Sequence, residues 1–242
     1  MSIIALLQEF DGKEIGEKKG KLITGKLMPG LTQKELNTVQ GMIPCMIPPV
    51  MRDVLSLTRG IKPGLQEIDF SGLSLNEALG MDDVFPHALP IAGDGSGNFW
   101  VVDLHPGSKD WGPVFYACHD PPVIVWQAKS FEEFVAQLIS NACEEEGNPI
   151  ELVIEKYAYQ IYHDNPNVIT AEKAIQAGDP DFSNFAQSLK KGYLFIDLRR
   201  PRTGEGFSWG RYGPGTEIKR HGEQRLFAYK KQAGFFEKLF SR

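Results

Sequence analysis

The sequence predicts an α+β fold, with short strands running consecutively through the middle of the chain and helices flanking them. Two observations carry that prediction. The first is a series of strand-like segments, Ala88 to Ala92, Asn98 to Leu104, Val114 to Cys118 and Val123 to Trp126, with no helical pattern between them. Alternating strands and helices would instead point to a parallel α/β sheet. The second is helix-start chemistry on either side. Thr32-x-x-Glu35 and Ser130-x-x-Glu133 have the form of capping boxes, and Pro48-Pro49 puts proline where a helix opens.

Taken in order, Ile3, Leu6, Leu7 and Phe10 recur at helical spacing, so Ile3 to Phe10 reads as a short helix. The basic, Gly-rich stretch Gly16 to Gly30 reads as loop or hairpin. The first capping box starts a helix carrying Leu36 and Val39. Val50 to Thr58 follows, with Val50, Met51, Val54, Leu55 and Leu57 expected on its buried face and Gly60 placed to end it. Glu67 to Phe70 is a strand candidate, and Ser74-x-x-Glu77 opens a helix ending near Gly80. Gly93-Asp94-Gly95-Ser96-Gly97 joins two central strands with residues that tolerate positive φ, and His119-Asp120-Pro121-Pro122 turns between the next two. Phe131, Phe134, Val135, Leu138 and Ile139 make the clearest amphipathic helix.

Glu144 to Pro149 reads as a connector between a first domain, 1–146, and an α+β C-terminal extension, 147–242, for which packing on the first domain is one open arrangement. Within the extension, Ile150 to Tyr162 and Ala171 to Ala177 read as helices and Gly192 to Leu198 as a strand. Glu217 to Arg220 and Gln224 to Lys230 read as a hairpin turning near His221-Gly222, and Phe235, Phe236, Leu239 and Phe240 as the apolar face of a terminal helix.

With 42% hydrophobic and 24% charged residues, the chain has the composition of a protein with a packed core. No apolar run approaches the roughly 20 residues that span a bilayer, and the N-terminus lacks the basic region of a signal peptide. Cys45, Cys118 and Cys143 lie far apart without CxxC spacing, which suits a reducing cytoplasm rather than a disulfide framework. The net charge of −5 is uneven. From Ser183 onward 13 Lys and Arg stand against 5 Asp and Glu, a net +8, leaving 13 basic against 26 acidic residues, a net −13, before that point.

No constellation of catalytic residues emerges. His105 and His119, beside Asp103 and Asp120, suggest a metal or general base, yet both stand where strands run into turns. Cys118 and His119 are neighbours on a strand and point to opposite faces, so they cannot form a dyad. The Gly93 to Gly97 loop has neither the Gly-Lys-Ser/Thr of a phosphate loop nor a helix after it. One carboxylate, Asp94, is far short of a calcium ligand set. No catalytic residue, metal or cofactor is expected.

Binding has more support. Between Gly64 and Asp103 stand Glu67, Asp69, Glu77, Asp82, Asp83, Asp94 and Asp103 with no Lys or Arg. That span reads either as an ordinary acidic face or as a surface that steers a basic partner. Trp100, Trp111 and Trp126 are candidate anchors. Alternating strand positions favour the core for them, and Trp111, flanked by Lys109-Asp110 and Gly112-Pro113, is the one expected to be exposed. In the extension, Arg199, Arg200, Arg202 and Arg211 lie near Tyr193, Phe207, Trp209 and Tyr212, a dilute form of the cationic and stacking mixture of single-strand binders. Nucleic acid is not the expected partner. Protein binding, or docking of the basic tail on the acidic part of its own chain, is preferred.

Three ordered blocks resemble the SUKH superfamily: Ile47-Pro-Pro through a helix to Arg59-Gly60, Pro90-Ile-Ala-Gly-Asp-Gly-Ser-Gly-Asn98 running into an apolar strand, and Gly112-Pro-Val-Phe-Tyr-Ala-Cys-His-Asp120 followed by a strand and Ser130-Phe-Glu-Glu-Phe134. Arg59 departs from the Asn usual before that glycine, and nothing after about Pro149 resembles a known family. The resemblance implies a curved, mostly antiparallel sheet with helices packed to one side. It also implies a non-catalytic cytoplasmic immunity protein that binds and neutralises a cognate secreted toxin, or alternatively a regulatory scaffold recruiting a housekeeping protein. The expected partner-binding residues are Glu67, Asp69, Asp82, Asp83, Asp94, Asn98, Trp111, His119 and Asp120. An enzyme site in the extension, using His163 or His221, is the remaining reading from another class.

Overall fold

A computed structural model describes residues 2–230 apart from 76–80, 190, 212 and 214. The helix expected to open at Ser74-x-x-Glu77 and the terminal helix of Phe235 to Phe240 fall on residues outside that description, as does Tyr212.

Helix α1 (Ile3–Phe10) is capped by Ser2, whose Oγ accepts from Ala5 N at 3.3 Å. The Gly-rich stretch folds as a hairpin, β1 (Glu14–Lys18) and β2 (Lys21–Thr24), turning through Lys19 and Gly20 at φ 53° and 73°. Next comes β3 (Lys26–Leu27), then α2 (Gln33–Met42) behind a complete capping box: Glu35 N donates to Thr32 Oγ1 and Thr32 N donates to Glu35 Oε2. Helix α3 (Pro49–Leu57) opens on its proline as expected. The two-residue strands β4 (Ile61–Lys62) and β5 (Glu67–Ile68) lead to the long strands β6 (Ala88–Gly93), β7 (Phe99–Asp103), β8 (Val114–His119) and β9 (Pro122–Ala128).

Helix α4 (Phe131–Ala142) follows. A continuous helical rod then runs from α5 (Pro149–Glu151) through a π-helical stretch, Leu152–Tyr157, into α6 (Ala158–Asp164). The chain closes with β10 (Ile169–Thr170), α7 (Ala171–Ile175), α8 (Pro180–Ser188), β11 (Tyr193–Asp197), β12 (Gly206–Phe207), β13 (Ile218–Arg220) and β14 (Leu226–Lys230). The fold is α+β, as the sequence predicts.

The central sheet is antiparallel throughout, in the order β12-β9-β8-β7-β6-β5. Strand alternation divides its side chains between two cores. Trp100, Val102, Tyr116, Cys118, Val123 and Val125 face α1, α3, α4 and α6, where Leu7, Val54, Leu55, Phe134, Leu138 and Ile161 meet them. Two buried amides cross that layer: Trp100 Nε1 donates to Gln127 Oε1 at 2.9 Å, and Gln127 Nε2 donates to Gln137 Oε1 at 2.7 Å. Phe99, Val101, Phe115, Ala117, Ile124 and Trp126 face the other way, onto Ile196, Leu198, Phe227 and Tyr229 of a second antiparallel sheet, β10-β11-β14-β13. Residues of the extension therefore fill a core jointly with the strands of the first part. They also lengthen the central sheet, because β12 pairs with β9. A third cluster packs α8 on the outer face of the second sheet, with Phe185 and Phe195 ring centres 5.7 Å apart.

Candidate functional site

At one end of the central sheet the β6–β7 loop meets the β8–β9 turn, and a chain of hydrogen bonds locks them together. Asp94 Oδ1 accepts from Ser96 N at 2.8 Å, and Asp94 Oδ2 accepts from Asn98 Nδ2 at 2.7 Å. A carboxylate can only accept, so it turns the amide group of Asn98 toward itself and leaves Asn98 Oδ1 facing His119. That oxygen accepts from His119 N at 2.9 Å and from His119 Nδ1 at 2.8 Å. Nδ1 is thereby the donor in that contact, and the His119 side chain is exposed. The loop conformation depends on glycine: Gly97 has φ +86°, and a Cβ there would come 3.2 Å from His119 Cε1.

The same end carries exposed Asp120 in the turn, and exposed Glu67, which stands opposite Gly93 across the β5–β6 pair. Below them Tyr116 donates its hydroxyl to Asp94 Oδ2 at 3.3 Å. Burial, with Cys118 and the Asp94 carboxylate close by, holds that phenol far above its ordinary pKa. Burial likewise pushes the Cys118 thiol up, away from nucleophilic thiolate character. The arrangement presents carboxylates and one imidazole on a fixed frame.

Glu67, Asp94, Asn98, His119 and Asp120 thus come together, and the other expected partner-binding residues do not. Asp69 is 3% exposed and serves the fold: it accepts from Ser71 N at 3.1 Å, from Ser74 N and Oγ at 3.0 and 2.6 Å, and from Ser71 Oγ, with Arg59 at 3.8 Å. The acidic span is therefore not one continuous face. Trp111, expected to be the exposed tryptophan, is 2% exposed. Its polar neighbours in sequence point away while its ring packs edge-on against Phe131, and its backbone oxygen accepts from Phe131 N at 2.8 Å. Trp100 and Trp126 are core residues, as their alternation suggests. Asp82 and Asp83 are exposed, but near the opposite end of β6 and β7: the next residue, Val84, accepts at its oxygen from Arg220, which also binds Asp103.

His105 lies at that far end too, with its Nδ1 3.3 Å from Glu223, so the two histidines flanking β7 and β8 share no site. Among the described residues no group of three or more His, Cys, Asp or Glu is arranged to hold a metal. His163 is exposed on α6, while His221 lies against the Phe185 ring at 4.9 Å. In the extension Tyr193 and Phe207 are buried, and Arg199 is tied to Asp197 and Asp179 at 2.6 and 3.0 Å. The supposed stacking and cationic groups therefore do not line one groove.

Sequence reasoning did not find the contact of the extension with this site. Trp209 Nε1 donates to Cys118 O at 3.1 Å and Ser208 Oγ to Pro122 O at 3.2 Å, so the segment around β12 braces the β8–β9 turn from behind. A Gly- and Arg-rich composition gives no periodic signal for such a two-residue strand.

Residues 30–137 match the model of the SMI1 / KNR4 family (SUKH-1). That family includes toxin immunity proteins and fungal regulators, and its members typically bind partner proteins. No curated protein and no solved structure matches the chain. No helix among the described residues is long and apolar enough to cross a membrane.

Proposed function

We propose that this chain, whose residues 30–137 form a SUKH-superfamily domain, is a cytoplasmic immunity protein that binds a cognate secreted toxin and neutralises it stoichiometrically. The contact surface is the end of the central sheet carrying Glu67, Asp94, His119 and Asp120. The observation that carries the reading is the Asp94–Asn98–His119 chain, which holds an acidic loop and an exposed imidazole rigid while leaving them accessible. Preorganised polar groups lose little entropy on binding, and a local excess of carboxylates steers a basic partner such as a nuclease surface.

The test is binding of the purified protein to the product of the neighbouring toxin gene by titration calorimetry. Sub-micromolar, one-to-one binding is expected. Asp94→Ala and Asp120→Lys should each weaken it by about tenfold or more, about 1.4 kcal/mol. An adjacent toxin that does not bind sinks the immunity reading, and full affinity in both variants moves the interface elsewhere.

A further inference from the structure

A second exposed surface adjoins that loop end, its lining residue Gln66 lying against Gly95 of the β6–β7 loop. The β1–β2 hairpin and the connection from β4 to β5 enclose an open groove of about 510 Å³, lined by Leu22, Ile23, Lys26, Lys62, Pro63 and Leu65 among others. Lys26 and Lys62 stand directly opposite each other across the β3–β4 pair. Like charges facing across an antiparallel pair repel, and an ordinary surface would place a carboxylate between them. Neither lysine has an ion pair among the described residues, although Glu67 lines the pocket adjoining Lys62. Along the hairpin exposed Lys13, Lys18, Lys19 and Lys21 outnumber exposed Glu14 and Glu17, so its net charge is positive. Leu22 beside them is 58% exposed, an aliphatic side chain left in water at the mouth of the groove.

We propose that this groove docks a segment of a partner protein that is acidic and carries aliphatic side chains. Its carboxylates would sit on Lys26 and Lys62 and relieve their mutual repulsion, while an aliphatic side chain covers Leu22, Ile23, Pro63 and Leu65. Charge complementarity selects the acidic class. The lining selects protein over nucleic acid, because among the described residues no aromatic ring lines the groove on which a base could stack. The surface differs in sign from the acidic loop end, so the two would take different regions of one partner or two different partners.

The test uses the full chain and a fluorescent peptide of alternating glutamate and leucine, followed by anisotropy at low salt. Saturable binding is expected, weakening as salt rises. It should fall by about tenfold or more in Lys26→Glu/Lys62→Glu and in Leu22→Ser. The matching glutamine–leucine peptide should not bind. Independently of any ligand, Lys62→Gln should raise the urea midpoint of the free protein by removing the cross-strand repulsion. Equal binding by the native protein and the double variant overturns the proposal. So does a lower Lys62→Gln midpoint, or tighter binding of an oligothymidylate or of phosphatidylserine vesicles at the same lysines.

Discussion

Asp103, at the end of β7, takes Arg220 on both carboxylate oxygens, Nη1 to Oδ1 at 2.7 Å and Nη2 to Oδ2 at 2.9 Å, while Arg225 Nε donates to Oδ2 at 2.8 Å. The carboxylate is fully buried, and both arginines come from the C-terminal β13–β14 hairpin. Burial pushes the Arg225 pKa down and the Asp103 charge works against that shift. Removing the single anion leaves the buried Arg220 and the half-buried Arg225 guanidinium groups without a counter-charge. Asp103→Ala should therefore destabilise the protein by about 3–5 kcal/mol, read as a lower urea midpoint at unchanged slope. Replacing all three residues by apolar ones of similar volume should recover most of that loss. A cost below about 1 kcal/mol for Asp103→Ala would show that the triad contributes nothing net.

The same interface predicts the fate of a shortened chain. Without residues 147–242, the sheet face carrying Phe99, Val101, Phe115, Ala117, Ile124 and Trp126 loses the strands that cover it. An exposed patch of that kind drives self-association. A fragment ending at Glu146 should bind a hydrophobic dye and migrate as oligomers in size-exclusion chromatography. A monomeric fragment with cooperative unfolding would show that the first part folds alone.

Much of this was legible in the sequence because it is local. The capping box at Thr32/Glu35, the Ser130 cap of α4, the proline opening α3 and the glycine loop of Asp94 are each decided within a few residues, and each lies where its pattern places it. At Ser130 only half the box forms, because the Glu133 side chain accepts from Lys129 N instead. Helix α8 was missed although its signal was present: Asp179 accepts from Phe182 N, and Pro180 occupies the first helical position. What the sequence concealed is long-range. The partners of Asp103 lie 117 and 122 residues away, so an anion that reads as surface charge is a buried structural group. Trp111 misleads for the same reason, since the ring that covers it belongs to Phe131 on another element. The site network was half visible: Asp94, Asn98 and His119 stand out singly, but only the fold joins them.

Asp69 separates structural from binding acids. Its carboxylate satisfies the amides and hydroxyls of Ser71 and Ser74, and it is not accessible. Asp69→Ala should lower stability by about 1.5–3 kcal/mol through those lost charge-assisted bonds. If the proposed toxin is the partner, the affinity of the folded variant for it should stay at the native value, in contrast to Asp94→Ala. A large loss of affinity with unchanged thermal stability would return Asp69 to the interface.

At high pH the extension should lose stability through Tyr193. Its ring is buried and its hydroxyl lies against the Glu217 carboxylate, and its pKa is pushed up to about 12 from 10.0, by loss of solvent first and by Glu217 second. The folded chain keeps the phenol proton where the unfolded chain has released it. The stabilisation is therefore complete below pH 10, and it is lost as pH rises from 10 through about 12. Glu217 acts in the opposite direction: Tyr193 and Lys219 hold its carboxyl below its ordinary 4.5, so its contribution is present above that value and fades as pH falls beneath it. Thermal melts of the native protein and of Tyr193→Phe across the alkaline range provide the check. The variant should begin less stable and show a flatter fall, since phenylalanine has no proton to lose. Parallel declines in the two proteins would assign the alkaline transition to another group.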